Sequence, residues 1–254
     1  MVGASCQVIE VDEHAANLSE ILQANARCPL DQQVCYRDGQ RLVASWREFA
    51  TDLIRGRDCR RPWRDGGVYL ITGGAGGLGL IFAEEIMQRA KDATVVLAGR
   101  SAPDERTQLL AEMLTAMSSH STRVEYRRLD VGPGEAVARL VHDLTDTFGG
   151  LHGLIHSAGV TRDRLILNKD PQELPEVLTP KVARCVNLDR ACQDLDFFVL
   201  FSSLTGPAGN PGQADYAAAN AFMGAFAHYR NTLVRENERL GRTLSDQPAL
   251  TTGG

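Results

Sequence analysis

Four polar side chains in the second half of the chain have the types and spacing of an acid–base site. Ser203 lies thirteen residues before Tyr216, and Asn220 follows Tyr216 by one helical turn, so Tyr216 and Asn220 project from one face of a helix. The ordinary pKa of a tyrosine, about 10, is too high for an efficient acid at neutral pH, but a neighbouring lysine ammonium stabilises the phenolate. Lys181 is the candidate for that ammonium. Ser203 can donate a hydrogen bond to a substrate carbonyl and stabilise the charge that builds there as a hydride arrives.

Each of these residues has an ordinary alternative role: a core-edge tyrosine, a capping serine, a surface lysine. Their order and spacing on one fold favour the catalytic interpretation.

A glycine-rich loop follows the strand VYLIT and runs into an amphipathic helix. Glycine lets the backbone turn sharply and approach a pyrophosphate, and a helix N-terminus offers amide donors and a positive dipole. The strand–loop–helix context favours a dinucleotide site over a simple turn. The predicted loop residues are Thr72, Gly73, Gly74, Ala75, Gly76, Gly77, Leu78 and Gly79.

The end of the next strand indicates which dinucleotide would bind. NAD-binding folds usually place Asp or Glu about 20 residues after the glycine loop, whereas this strand ends VVLAGRS, with Arg100 and Ser101 at that place. A carboxylate would repel a 2′-phosphate, and an arginine binds it with charge-assisted hydrogen bonds. The sequence therefore predicts NADPH rather than NADH; the alternative is an arginine that lies at the surface by chance.

Two further strand ends fit the same site. Asp130 and Val131 are predicted to lie beside the adenine. His156, Ser157, Ala158 and Gly159 end a later strand with mostly small residues, which permits close approach of the backbone to a cofactor. Alone, each is an ordinary strand end.

The elements that position these residues alternate between strand and helix from Gly66 onward, which predicts an α/β, Rossmann-like, doubly wound parallel sheet. The predicted strands are Val68–Thr72, Thr94–Ala98, Arg123–Arg128, Leu151–His156 and Phe197–Ser202, and the predicted helices lie near 79–91, 104–118, 134–148, 180–194 and 215–239. Thr179 and Pro180 are predicted to be the N-cap and first residue of the fourth helix.

Residues 1–65 are predicted to form a partial structural subdomain and linker, and residues 66–254 a catalytic domain. Apolar residues at helical spacing between Leu18 and Ala26 predict a short helix. Asp38-Gly39 lies between two alternating segments and predicts a type I′ hairpin. The basic segment 55–65 is interpreted as a solvated linker, with contact to a phosphate or an acidic partner as the alternative.

Composition excludes several classes of function. The chain has 254 residues, 43% of them hydrophobic, and a formal charge of −5. This apolar content excludes disorder of the whole chain, and the acidity argues against nucleic-acid binding. No window approaches the roughly 18 apolar residues of a membrane span, and the N-terminus lacks the pattern of a secretory signal. The cysteines and histidines show no metal-ligand spacing. The sequence thus predicts a soluble, cytoplasmic protein without a metal site.

In these motifs the sequence resembles the short-chain dehydrogenase/reductase superfamily, and within it the ketoreductase domains of modular polyketide synthases. The resemblance covers roughly residues 31–245 and includes the phrases HSAGV, FVLFSS and GQADYAAANAF. The superfamily usually has YxxxK, whereas here Tyr216 is followed by Asn220. Polyketide ketoreductases exchange the lysine and asparagine positions, and the lysine then comes from LTPKVARCVNL as Lys181. The hairpin resembles the end of the family's cofactor-free N-terminal half.

The resemblance implies NADPH-dependent reduction of a β-ketoacyl thioester, carried on phosphopantetheinyl acyl carrier protein, to the β-hydroxyacyl thioester. Tyr216 would donate the proton, Ser203 would orient the ketone, and Lys181 with Asn220 would assist the proton relay. Neighbouring synthase domains would be further partners.

The resemblance also bears on stereochemistry. B-type domains, which give the D-configured alcohol, carry Leu-Asp-Asp where this chain has Thr161, Arg162 and Asp163. A-type domains carry tryptophan at the position of Ala208. Asp163 therefore favours the B type, and the alternative is that it only caps a loop.

The segment SDQPALTTGG replaces the sixth strand and substrate lid of the family. Because proline and glycine are poor in strands, we expect the final strand and the lid to be missing, through truncation or a frameshift. Three alternatives remain: an inactive, truncated domain that only packs against neighbouring domains, a free-standing fatty-acid-type ketoacyl reductase, and a noncatalytic NADPH sensor. The fatty-acid type should carry YxxxK and lack the hairpin.

Overall fold

The alternation of strands and helices after Gly66 builds a six-stranded parallel sheet with helices on both faces. The computed structural model describes residues 6–11, 17–45, 61–118, 120–129, 134–245 and 249–252. The chain divides into two units: Arg60–Asp246, and Met1–Cys59 together with Gln247–Gly254. No helix within the described ranges combines the length and apolar character needed to cross a membrane.

The larger unit contains the parallel sheet, with strand order β6-β5-β4-β7-β8-β9. Its strands are β4 (Val68–Thr72), β5 (Thr94–Gly99), β6 (Arg123–Arg128), β7 (Gly153–His156), β8 (Phe197–Leu200) and β9 (Arg242–Leu244). The predicted positions of the first five strands are confirmed, and the doubly wound fold class is confirmed with them. Every residue of β4 is buried, as a central strand covered on both faces requires.

The helices on this sheet lie close to most of the predicted positions. They are α2 (Gly77–Arg89), α3 (Glu105–Met117), α4 (Gly134–Phe148), α5 (Glu173–Lys181), α6 (Ala183–Ala191), α7 (Thr205–Ala208) and α8 (Ala214–Arg235).

Successive strand residues point to opposite sides of the sheet, which divides its core into two layers. Leu70 and Val96 belong to the layer that contains residues of α4, α6 and α8. Ile71 and Leu97 belong to the layer that contains residues of α2 and α3.

The prediction of one helix over 180–194 is wrong. The chain forms α5 and α6 instead, with Val182 between them, and Pro180 lies in the last turn of α5. Acidic side chains in the first turn of α5 favour a start at Glu173, and proline, which has no N–H, disrupts a continuing helix. Thr179 is therefore not an N-cap, and Lys181 ends a helix rather than beginning one.

The expectation that the last parallel strand is missing is also wrong. β9 pairs with β8 in register from Phe197 opposite Arg242. Two side chains of α8 hold this short strand in place. Asn231 exchanges two hydrogen bonds with the backbone of Thr243, each 2.8 Å long.

Arg230 is the second of these side chains, and it is fully buried. Its guanidinium donates to the carbonyls of Gly241 (2.8 Å) and Leu240 (2.9 Å), and pairs with the Asp189 carboxylate at 2.6 Å. Because these partners belong to α6 and to the turn before β9, Arg230 secures a strand that is only three residues long.

The smaller unit contains a second sheet, with order β1-β2-β3-β10. Its elements are β1 (Val8–Val11), α1 (Leu18–Ala26), β2 (Gln33–Arg37), β3 (Gln40–Ser45) and β10 (Ala249–Thr252). β1 and β2 are parallel, and β10 pairs antiparallel with β3. Asp38 and Gly39 have φ values of 51° and 73°, which confirms the predicted hairpin turn. Of the predicted linker 55–65, residues 55–60 lie outside the described residues.

Candidate active site

The glycine loop brings the end of β4 against the end of β7 so closely that side chains are excluded. Gly73 has a φ of 71°, and a Cβ there would lie 2.8 Å from the backbone nitrogen of Ala158. A Cβ on Gly79 would lie 2.6 Å from the Cα of Gly74. These two positions require glycine for the turn and for the packing of α2 on the loop.

The first turn of α2 faces this loop with its backbone donors uncapped by a side chain. Gly76 is the N-cap residue, and no side chain hydrogen-bonds to the cap. A helix N-terminus carries free N–H groups and a partial positive charge, so it favours an anion.

A cleft of about 240 Å³ lies at the carboxyl ends of β4, β5 and β7. Seven of the predicted cofactor residues line it: Thr72, Gly73, Gly76, Arg100, Ser157, Ala158 and Gly159. Seven others do not line it: Gly74, Ala75, Gly77, Leu78, Gly79, Ser101 and His156. Asp130 and Val131 lie outside the described residues.

The cleft also contains residues that were not among the predicted cofactor residues, including Leu129, Val160 and Arg184. Arg184 is 8% exposed and adds a second cation to the cleft, besides Arg100. Arg184 could have been predicted to lie near the site from its position three residues after Lys181. Three features of the cleft fit the phosphate groups of a dinucleotide. They are the backbone of the glycine loop, the helix N-terminus that no side chain caps, and the two guanidinium groups.

His156 does not line the cleft; it hydrogen-bonds to residues that do. The ring is fully buried, with Nδ1 2.6 Å from the Thr72 hydroxyl and Nε2 2.8 Å from the carbonyl of Pro180. A carbonyl only accepts, so Nε2 carries the proton and Nδ1 accepts from Thr72. Burial lowers the pKa of His156 to about 4, which keeps the ring neutral. The ring thereby joins β4, β7 and the residue that precedes Lys181.

Lys181 reaches from the end of α5 to helix α8. It is 3% exposed, and its Nζ donates to the carbonyl of Phe201 at 2.7 Å. The same nitrogen lies 5.5 Å from the centroid of the Tyr216 ring. The structure thus brings together a lysine and a tyrosine that are separated in the sequence by three elements, α6, β8 and α7.

Asn220 lies one turn after Tyr216 on α8, as the spacing predicts. Its Nδ2 donates to the carbonyl of Tyr216 at 2.6 Å. Asn220 is 1% exposed, and among the described residues its Oδ1 has no hydrogen-bond partner. A buried amide oxygen without a partner is an acceptor available to a water or a proton donor at the site.

Ser203 lies in the turn between β8 and α7, where its Oγ accepts from the backbone of Thr205 at 3.2 Å. The helix that follows this turn, α7, packs closely on α8: a Cβ on Gly206 would lie 2.9 Å from the backbone nitrogen of Ala221. Ser203 is therefore held on the side of α8 that carries Asn220.

Asp163 belongs to the irregular segment after β7 and contacts the residue that precedes α8. Its Oδ2 accepts from Nε2 of Gln213 at 2.8 Å, and Gln213 in turn accepts from Asn210 at 2.9 Å. The partner Gln213 is a residue that the sequence analysis did not single out.

A parallel sheet with a glycine loop after its first strand, and a lysine–tyrosine pair near the carboxyl ends of its strands, defines a Rossmann-type oxidoreductase. Comparison with known proteins narrows this class. A family model described as the KR domain matches residues 67–237. Polyketide synthases PksL and PksN of Bacillus subtilis (strain 168) are each 44% identical, over 243 and 253 residues, or 94% and 98% of this chain.

The chain spans only 5% of PksL and 4% of PksN. Among solved structures, a ketoreductase domain from the bacillaene assembly line is similar with a TM-score of 0.86 and 44% identity, over 95% of this chain and 57% of that one. The chain belongs to the KR domain family, within the short-chain dehydrogenase/reductase superfamily.

Proposed function

We propose that this chain reduces the β-keto group of a β-ketoacyl thioester, carried on the phosphopantetheine arm of acyl carrier protein, to the β-hydroxyacyl thioester with NADPH. The observation that carries the proposal is the buried Lys181 ammonium, 5.5 Å from the Tyr216 ring, beside the glycine-loop cleft. A nicotinamide cofactor is typical of the superfamily.

The backbone of residues 72–79 and the N-terminus of α2 would hold the pyrophosphate of NADPH. Arg100 lines the cleft at the end of β5, where its guanidinium would bind the 2′-phosphate, with Ser101 beside it. The small residues 157–159 would allow close approach of the backbone, and Asp130 and Val131 would lie beside the adenine. When bound, NADPH supplies the hydride.

The protein's own groups would supply the proton and orient the ketone. Ser203 donates a hydrogen bond to the carbonyl oxygen, and the Tyr216 hydroxyl gives its proton to that oxygen as the C–H bond forms at the former carbonyl carbon. Lys181 stabilises the phenolate that remains. The unpartnered Oδ1 of Asn220 accepts from the water that returns a proton to Tyr216.

Asp163 would control which face of the ketone is reduced. Its hydrogen bond to Gln213 ties it to the residue before the catalytic helix, which supports a role in orienting the substrate and not only in capping a loop. We propose the B type, which gives the D-configured alcohol.

Acyl carrier protein and the neighbouring domains of a polyketide synthase are the proposed partners, because the relatives that the chain matches are much longer. Within this assembly, residues 66–254 would be the catalytic domain and residues 1–65 the structural subdomain. We propose a cytoplasmic location, where NADPH and acyl carrier protein would both be available.

The test compares two tyrosines of α8. Tyr216→Phe removes the proposed proton donor, and Tyr229→Phe changes an exposed tyrosine of the same helix in the same way. Reduction of a β-ketoacyl-N-acetylcysteamine thioester should fall by about 10²-fold or more in Tyr216→Phe and stay unchanged in Tyr229→Phe. NADPH affinity, measured by fluorescence titration, should be nearly equal in both variants.

The same two measurements distinguish the proposed reductase from the alternative of an inactive structural domain. NADPH binding without turnover in the wild-type chain would support that alternative. A large loss of NADPH affinity in Tyr216→Phe would contradict the role assigned to this tyrosine.

A further inference from the structure

We propose that the buried ion pair between Lys169 and Asp215 is a positioning element that holds residues 161–169, the segment bearing Asp163, on the N-terminal end of the catalytic helix. The Lys169 Nζ and the Asp215 Oδ2 are 2.6 Å apart, and the two side chains are only 4% and 1% exposed. The consequence for the reaction rests on the function proposed above.

Each charged group of the pair also makes a hydrogen bond to the backbone. The Nζ of Lys169 also donates to the carbonyl of Arg162, at 2.7 Å, within the segment. The other carboxylate oxygen of Asp215, Oδ1, accepts from the backbone N–H of Tyr216 at 2.9 Å. One chain of polar contacts therefore leads from the residue beside Asp163 to the residue that carries the proposed proton donor.

Two weaker links run in parallel with the ion pair. The backbone N–H of Arg164 donates to the carbonyl of Gly212 at 2.8 Å, and Gln213 donates to Asp163. The remaining ion pairs of the segment, Arg162 with Glu176 and Arg164 with Glu173, involve arginine side chains that are about half exposed. Since solvent screens exposed pairs strongly, they hold the segment less firmly than the buried pair does.

The surroundings of the pair are apolar, which decides how it should be tested. A cavity beside the pair is lined mainly by Ile166, Pro171, Leu174, Leu178, Ala214 and Ala218. In such surroundings a buried ion pair contributes little net stability, because the cost of desolvating the two charges offsets their attraction. Its role is to fix one geometry of the segment relative to the helix. Methionine matches the length of the lysine stem and suits an apolar site, so Lys169→Met can preserve packing while it removes the link.

Breaking the ion pair should affect the proposed proton-transfer groups and the proposed substrate-orienting residue differently. Lys181 and Tyr216 are positioned by α5 and α8, so the chemical groups persist when the pair is broken. Asp163 loses its fixed place relative to Tyr216, so substrate orientation should suffer first. The expected signature is a raised KM and a lower ratio of D- to L-product, with kcat changed less than KM.

The experiment uses the full chain, with Lys169→Met as the test and Arg164→Met as the matched control, an exposed cation of the same segment. Hydrogen exchange followed by mass spectrometry measures protection of residues 161–169. We expect exchange in this segment to accelerate by about tenfold or more in Lys169→Met, with the strands of the large sheet unchanged. Arg164→Met should leave the segment protected.

A second variant guards against the effect of the uncompensated carboxylate. Lys169→Met combined with Asp215→Asn removes both charges, so it should fold where the single variant does not. It should still show the accelerated exchange, and Lys169→Arg, which keeps the cation, should restore protection.

Three results would overturn the proposal: unchanged protection of residues 161–169 in Lys169→Met and in the double variant with Asp215→Asn, acceleration spread equally over the whole chain, or loosening of the segment with KM and product ratio unchanged. The exchange measurement needs no turnover. A wild-type chain that reduces no β-ketoacyl thioester would therefore defeat the proposed function while the exchange result still decides whether the pair holds the segment.

Discussion

At the scale of single residues, the site depends on groups that are buried beside the cleft. Lys181 donates a hydrogen bond to the carbonyl of Phe201, and the carbonyl of Pro180, the residue before Lys181, accepts a hydrogen bond from His156. Burial forces each of these groups to keep a partner, so their geometry is set before any ligand arrives. Two predictions concern individual side chains.

The first prediction concerns His156 and pH. The pKa of His156 is about 4 in the folded protein, against about 6.5 for a histidine in the unfolded chain. Between these values the unfolded chain binds a proton that the folded chain does not, so the free energy of unfolding falls as pH falls from 6.5 to 4. The loss should be roughly 3 kcal/mol, and the contribution is fully present above pH 6.5.

Urea unfolding at several pH values checks this prediction. His156→Gln should show a shallower loss of stability over the window, whereas His142→Gln, which changes an exposed histidine, should keep the wild-type slope. Equal slopes in all three proteins would contradict the buried, neutral state of His156.

The second prediction concerns Arg100 and cofactor choice. Arg100→Gln removes the charge proposed to bind the 2′-phosphate, so the Kd for NADPH should rise by about 10- to 100-fold. The Kd for NADH should change little, because NADH has no phosphate at that position. Fluorescence titration with both cofactors measures the two constants, and Arg106→Gln on α3 is the control. Equal weakening of both cofactors in Arg100→Gln would show that the arginine does not select between them.

At the scale of elements, the sequence predicted those that depend on local patterns. Strands β4 and β6 begin and end at the predicted residues. For β4 the reason is that a buried parallel strand is an unbroken apolar or β-branched run with clear limits. The hairpin was predictable because Asp38-Gly39 has a specific turn geometry. The glycine loop was predictable for the same reason: few sequences can make its turn.

The errors occurred where tertiary contacts outweigh local preference. Two local signals compete around Pro180. Acidic residues favour a helix start at Glu173, but proline is equally acceptable in the first turn of a helix that begins at Pro180, so local sequence does not decide between the two starts. β9 is short, and its position depends on Arg230 and Asn231, which belong to α8. Its docking could not be predicted from the strand's own residues. The Lys169–Asp215 pair likewise joins residues that are 46 positions apart.

The prediction at this scale is that Arg230 secures β9. Arg230→Met removes one partner of a buried ion pair with Asp189, which should lower the free energy of unfolding by about 3–5 kcal/mol. Arg235→Met, at the exposed C-terminal end of the same helix, should change it by less than about 0.5 kcal/mol. Urea denaturation of the full chain measures both values. Similar small changes in the two variants would show that the buried guanidinium is not what holds the strand.

At the scale of the whole molecule, the chain combines a six-stranded parallel sheet with a smaller unit of different character. The smaller unit places parallel β1 and β2 on either side of α1, followed by the hairpin to β3. Such a β–α–β arrangement, without a glycine loop, agrees with the resemblance to a cofactor-free half. The polyketide synthase relatives PksL and PksN are far longer than this chain, which spans 5% and 4% of them.

The measurement that tests the central claim most directly is mass spectrometry of acyl carrier protein loaded with a β-ketoacyl chain. With NADPH and the wild-type chain, we predict that the carrier-bound acyl group gains the mass of two hydrogen atoms, and that Tyr216→Phe abolishes the gain while NADPH still binds. No gain with the wild-type chain, or an equal gain with Tyr216→Phe, would contradict the assignment of Tyr216, assisted by Lys181, as the group that protonates the ketone oxygen during its reduction by NADPH.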